Sequence, residues 1–237
     1  MNPDKPLIIG EKYGLVNKES ATTNMYDGQI KGKEASTQGF ITHTETGYSV
    51  VTKTDGEYMV DYLALSGTIQ TVAQANGIDF SNLQSAINSV TEGEQTIKLT
   101  NGIITTSKFT IEDGQNIILD MNGKTISSEL EITIENKGNL KIIDSSGINV
   151  AKISSTVGIA IKSSGTLTLG ENDGTVNQDI LTIEGGTYGI ETSGTLNFYD
   201  GTINGASAVQ GTVTARADGY LIRTTTVNGK ERYYLSK

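Results

Sequence analysis

The chain has 237 residues, enough for one large domain or two small ones, and 18 basic against 27 acidic residues give it a net charge of −9. Only three arginines occur, Arg216, Arg223 and Arg232, so the clustered cations that hold a nucleic-acid backbone are excluded. Cysteine is absent, which excludes disulfides, thiolate metal sites and a cysteine nucleophile, and the longest aliphatic run, Ile117-Ile118-Leu119, is far below the ~20 residues of a membrane span.

The remaining composition predicts an all-β chain. Threonine is abundant, glycine numbers 28, and the two prolines both precede Leu7. β-Branched residues suit a pleated surface, glycine suits the corners between short strands, and proline would delete a ladder donor.

In chain order, Met1 to Pro6 carries no apolar signal stretch. Residues 7–65 then contain a segment that returns late in the chain. Tyr13-Gly14-Leu15 and Asn24-Met25-Tyr26-Asp27-Gly28 reappear as Tyr188-Gly189-Ile190 and Asn197-Phe198-Tyr199-Asp200-Gly201. The match continues through Gly39/Gly211, Gly47/Gly219, Gly56/Gly229 and Tyr62/Tyr234, and all ten tyrosines fall in the two copies, five in each. Residues 7–65 and 181–236 are therefore read as two versions of one substructure, a last coil closed by a hairpin. Asp55-Gly56 and Asn228-Gly229 mark the two hairpins, the latter as a type I′ turn. Residues 66–79 read as a linker.

A cap helix is predicted over 81–92, because Leu83, Ala86, Ile87 and Val90 recur at helical spacing; Ser81 would cap its start and Gly93 lies near its stop. After it the pattern becomes periodic. Leu140, Leu167 and Leu196 follow one another at 27 and 29 residues, as do Ile134, Ile161 and Ile190; Ile126, Ile153 and Ile183 keep nearly the same step. Three strand types per period of 20–30 residues predict stacked coils, each burying one inward row per strand. One inward row is expected to hold Ile118, Leu140, Leu167 and Leu196. The expected fold is a right-handed parallel β-helix with three strands per coil. The expected divisions are 1–65 as the tail of a preceding module, and 80–237 as a β-helix module ending in a hairpin over 211–237.

Phe80-Ser81-Asn82-Leu83-Gln84-Ser85-Ala86-Ile87-Asn88, Gln95-Thr96-Ile97-Lys98-Leu99-Thr100 and Ile118-Leu119-Asp120-Met121-Asn122-Gly123-Lys124-Thr125-Ile126-Ser127 together resemble the start of pectate-lyase-like right-handed β-helices. In particular they are similar to repeat modules of large surface or adhesin-like proteins of Gram-positive gut bacteria. The resemblance implies an extracellular, cell-surface location within a longer chain. It implies structural or adhesive work, with glycans or other host or cell-surface ligands as partners.

The resemblance also implies a fold that carries lyases and hydrolases. Asp120, Asp144 and Asp200 recur at one corner of the expected coils, where stacked carboxylates could hold Ca²⁺ through oxygen ligands. The alternative is that they accept backbone N–H bonds at turns, and that reading is favoured. No arginine base precedes Arg216, and the single histidine, His43, aligns with Ala215 of the second copy and reads as a surface strand residue. No catalytic residue, metal site or cofactor is expected. Tyr26, Tyr199, Tyr220 and Tyr234, flanked by Asn, Asp and Thr, could stack on sugars, but recurrence in both copies favours packing of a hairpin on the last coil. The leading expectation is a non-enzymatic structural or adhesive module; a polysaccharide-active enzyme and a phage-type receptor-binding spike follow. Because coil ends expose strand edges, head-to-tail self-association is also expected.

Overall fold

The computed structural model describes residues 6–18, 21–65, 71–147 and 151–237. Among these residues the chain is all-β, built of parallel β-solenoid coils with one short helix, and it divides into two compact units, Met1–Ile97 and Lys98–Lys237. No helix among the described residues is long and apolar enough to cross a membrane.

In the second unit three parallel sheets run side by side, and each coil contributes one strand to each. The coils begin at Ile103–Thr105, Thr125–Ser128, Ala151–Ser155, Leu181–Glu184 and Thr202–Gly205, which lie in register as one sheet. Phe109–Ile111, Ile132–Asn136, Ile159–Ser163, Tyr188–Thr192 and Ser207–Gln210 form the second. Asn116–Asp120, Asn139–Ile143, Thr166–Leu169, Thr195–Phe198 and Ala215–Arg216 form the third.

The alternation within each strand builds the core. Ile126, Ile153, Ile183 and Ile203 stack as one fully buried row, and Ile134, Ile161 and Ile190 as another. Each such row removes aliphatic surface from water on both sides of every coil, which a single coil could not do alone. On the outer face, lysine and glutamate alternate between neighbouring coils: Lys108 pairs with Glu135, Lys162 with Glu191 and Lys141 with Glu171.

One inward row differs from the expectation. Leu140, Leu167 and Leu196 are buried in register, but their partner is Ile117; Ile118 pairs with Lys141 and faces outward, half-buried. Since successive side chains point to opposite faces, reading Asn116-Ile117-Ile118-Leu119 one residue out of phase moves Ile118 across the sheet.

The first unit contains two coils rather than the single one expected. Leu7–Gly10 pairs in parallel with Gln29–Gly32, Tyr13–Val16 with Ala35–Gln38, and Asn24–Met25 with His43–Thr44. The hairpin Tyr48–Asp55/Tyr58–Leu65 then closes antiparallel on Gln29–Gly32. The second unit ends in the same way, with the hairpin Leu221–Val227/Lys230–Ser236 closing on Thr202–Gly205. The register agrees residue for residue: Ile30 faces Asp61, and its counterpart Ile203 faces Tyr233. A steric detail recurs as well. A Cβ on Gly14 would stand 2.6 Å from Ile30 Cγ2, and one on Gly189 the same 2.6 Å from Ile203 Cγ2. Glycine at both places lets an isoleucine of the next coil close over the backbone.

The two hairpin tips differ. Asn228 and Gly229 both have positive φ, 52° and 77°, as a type I′ turn requires. In the first unit the central pair is Gly56-Glu57, because Asp55 still pairs with Tyr58; only Gly56 has positive φ, the pattern of a type II′ turn.

The helix is shorter than 81–92 and covers Leu83–Ser89. Its cap is Asn82 instead of Ser81: the Asn82 side chain accepts the Ser85 N–H, and Val90 rather than Gly93 ends it. It belongs to the first unit, where it packs on Ala35–Gln38 and buries Leu83, Ala86 and Ile87. Of the expected linker, residues 66–70 lie outside the described residues. Its second half is not a linker, since Ala73–Ala75 and Ile78–Phe80 form a tight antiparallel hairpin around Asn76-Gly77, both at positive φ.

Candidate functional site

The acidic corner of the second unit is built from two neighbouring turns. Met121-Asn122-Gly123-Lys124 reverses the chain through two positive φ values, 46° at Asn122 and 69° at Gly123, and Lys124 N–H donates back to Met121 O at 2.8 Å. The next coil turns beside it at Asp144-Ser145-Ser146. The two aspartates clasp each other's turns. Asp120 accepts from Asn122 N–H in its own coil, and from Ser145 N–H at 3.0 Å and Ser145 Oγ at 2.6 Å in the next. Asp144 accepts from Ser146 N–H and Ser146 Oγ in its own coil and from Gly123 N–H in the previous one. Both are buried.

Asp200 repeats the device two coils on. It accepts from Glu171 N–H at 3.0 Å and Asn177 N–H at 2.7 Å. Burial raises its carboxyl above the usual range, against those N–H bonds, which favour the charged form. The corner therefore spends its carboxylate oxygens on backbone and serine donors. Asp120 is in register with Ile143 and not with Asp144, so the carboxylates do not stack face to face. Among the described residues, no three His, Asp or Glu side chains converge as a metal-ligand group.

The four tyrosines are spread over the two units. Tyr26 belongs to the first unit and is 59% exposed. In the second unit, Tyr199 sits half-buried at the corner before Asp200, and Tyr234 faces Arg223 across the terminal hairpin. Tyr220 lies just before that hairpin, with Lys237 Nζ 5.1 Å from its ring centre. No ring–ring contact joins any two of them among the described residues. His43 is exposed and pairs with Asn24, as Ala215 pairs with Asn197 in the second unit.

The first unit holds a cleft that sequence reasoning did not single out. Its volume is about 320 Å³, at the small end of the range for small-molecule sites. Phe40 and Phe80 form one side, their ring centres 6.2 Å apart and tilted by 51°. Ile78 and Tyr48 stand at its rim, both more than a third exposed. Asp61 forms part of its floor and is only 3% exposed.

Asp61 is positioned by the closing hairpin, whose second strand carries it directly opposite Thr52. Thr52 Oγ1 donates to Asp61 Oδ1 at 2.6 Å, and because a hydroxyl has one proton, Ser85 Oγ must donate to Thr52 across their 2.7 Å contact. Thr52 N–H in turn donates to Ser81 Oγ at 3.3 Å. Burial raises the Asp61 carboxyl above the ordinary aspartate range, and the Thr52, Ser36 and Thr37 hydroxyls pull the other way. Beside it, Thr37 Oγ1 is buried and faces the same carboxylate. Asp79 is a second carboxylate of the cleft, accepting from Gln74 at 3.1 Å, and among the described residues no Lys, Arg or His lines the wall.

The second copy shows that the fold does not require this set. By register, Tyr233 occupies the place of Asp61, and in the aligned sequence Thr212 stands for Phe40. The signal was therefore present in the sequence as a departure between the copies. Compared with protein-family models, curated proteins and solved structures, the chain matches none.

Proposed function

We propose that this chain is a non-catalytic structural and adhesive module of a bacterial cell-surface protein, displayed outside the cell as part of a longer chain. The observation that carries the reading is the state of the acidic corner. The carboxylates that a β-helix lyase or hydrolase would use for proton transfer or Ca²⁺ are here bonded to the N–H groups of adjacent coils. A carboxylate that holds two turns together is poorly placed to move, bind and release a substrate proton. The outer faces, laced with lysine–glutamate pairs from coil to coil, suit a stiff spacer.

Adhesion would use exposed surface on this frame, with glycans or other surface ligands as partners and the aromatic residues Tyr26, Tyr199, Tyr220 and Tyr234 as stacking positions. The test is direct. Pectic and host glycans incubated with the protein and Ca²⁺ should yield neither new reducing ends nor unsaturated products, and labelled glycans should bind in a pull-down. Turnover abolished by Asp144→Asn would overturn the reading.

A further inference from the structure

The cleft between Phe40 and Asp61 has the composition of a cation site. Its walls offer two aromatic faces, a near-buried carboxylate and several hydroxyls, and its titratable groups are Asp61, Asp79 and Tyr48. Among the described residues two acids and no base line it, so its local field is negative, and an anion or a phosphate is repelled. A buried carboxylate without a cationic partner is costly, and in this fold it is unnecessary, since the same register position in the second unit carries Tyr233. Thr37, 6% exposed, adds a further hydroxyl at the same wall, close enough to Asp61 to favour its charged form.

We infer that this cleft binds a primary ammonium group on a short alkyl chain, with Asp61 as its counter-ion and the Phe40–Phe80 pair against the alkyl stem. An ammonium presents three N–H donors and no acceptor. Asp61 and the oxygens of Ser81 and Ser85, all of which line the cleft, supply acceptors of that number. A cation beside aromatic faces gains further attraction from the ring quadrupoles. The volume admits a chain of a few carbons and not an oligosaccharide, so this ligand is distinct from the glycans considered for the tyrosines. The inference is independent of the surface-module reading, because a cleft of this chemistry binds an amine wherever the protein resides.

The test is titration calorimetry on the full chain with four probes: n-butylamine, Nα-acetyl-lysine methylamide, n-butanol and methyl glucoside. The two amines separate a free amine from a lysine side chain as the source of the group. Saturable binding of at least one amine is expected, about tenfold or more tighter than butanol. Asp61→Asn should remove that preference for amine over alcohol. Phe40→Thr, which installs the residue of the second copy and so preserves fold compatibility, should weaken the amine severalfold, whereas Lys162→Ala should leave it unchanged. The inference is overturned if amine and alcohol bind alike, if neither amine saturates at millimolar concentration, or if the glucoside is preferred. The comparison of amine with alcohol on the unaltered protein decides the matter even if Asp61→Asn does not fold.

Discussion

Replacing Asp144 by alanine separates a structural clasp from a catalytic acid. The side chain accepts three hydrogen bonds, from Gly123 N–H, Ser146 N–H and Ser146 Oγ. The serine groups belong to a turn beside half-exposed surface and regain water when the carboxylate is removed. Gly123 N–H is the donor that suffers most, because it points from one coil into the next. A hydrogen bond to a charged acceptor contributes roughly 1.5–3 kcal/mol, so Asp144→Ala should cost the second unit about 2–3 kcal/mol. Asp144→Asn keeps one acceptor oxygen for Gly123 N–H and should cost about 1 kcal/mol.

Urea unfolding followed by circular dichroism measures both. At a slope of ~2 kcal/mol per molar urea, the alanine variant should lose about 1 M in midpoint, with the slope unchanged. Because Asp120 grips Ser145 in the reverse direction, the double replacement Asp120→Asn/Asp144→Asn should depart from additivity. An alanine variant within about 0.5 kcal/mol of the original, the range of ordinary surface changes, would refute the clasp.

Further outcomes follow from the same geometry. Leu167→Ala, at a fully buried position between Leu140 and Leu196, should destabilise the second unit by about 2–5 kcal/mol in the same urea assay. Gly189→Ala places a methyl 2.6 Å from Ile203 Cγ2 and 2.7 Å from Asn204 O, and should destabilise the second unit by an overpacking cost of about 1–3 kcal/mol, read as a lower thermal midpoint. Lys162→Ala breaks an outer-face pair with Glu191 and should shift stability by no more than about 1 kcal/mol, less at high salt. Asp61 holds its proton more tightly folded than unfolded, so its contribution to stability is complete below the unfolded aspartate pKa and is lost as pH rises through the raised folded value. Unfolding of Asp61→Asn across that pH window should therefore show a smaller fall in stability with rising pH than the unaltered chain; parallel curves would contradict the assignment.

The repeat was visible in the sequence because its register is marked by backbone positions that favour glycine over every other residue. Gly28/Gly201, Gly39/Gly211 and Gly47/Gly219 all have positive φ, so the two copies had to place glycine at the same points. Strand phase was less secure where the pattern was degenerate. Asn116-Ile117-Ile118-Leu119 contains three adjacent apolar residues and allows either phase, whereas Asn139-Leu140-Lys141-Ile142 allows one; pairing Asn116 with Asn139 removes the ambiguity. The helix start had the same degeneracy, since Ser81 and Asn82 are both good caps and one position separates them. Asn76-Gly77 is a strong turn signal inside a stretch whose composition resembles a linker.

The cleft was hidden for a different reason. Its wall joins Phe40, the hairpin residues Thr52 and Asp61, and the helix-side residues Ser81 and Ser85, which no local motif connects. What connects them is the closure of the hairpin over the second coil, a tertiary event. A repeat search weights what the copies share, and shared positions here are those that build coils: the stacked isoleucines, the corner glycines and the hairpin register. Chemistry that is not needed to build a coil can appear only where the copies disagree. Asp61 against Tyr233 is the sharpest such disagreement, because it exchanges an aromatic ring for a buried carboxyl at one register position. In a solenoid the departures from the repeat are therefore the places to look for function, and the conserved-looking acidic corner, which repeats, is the place to look for stability.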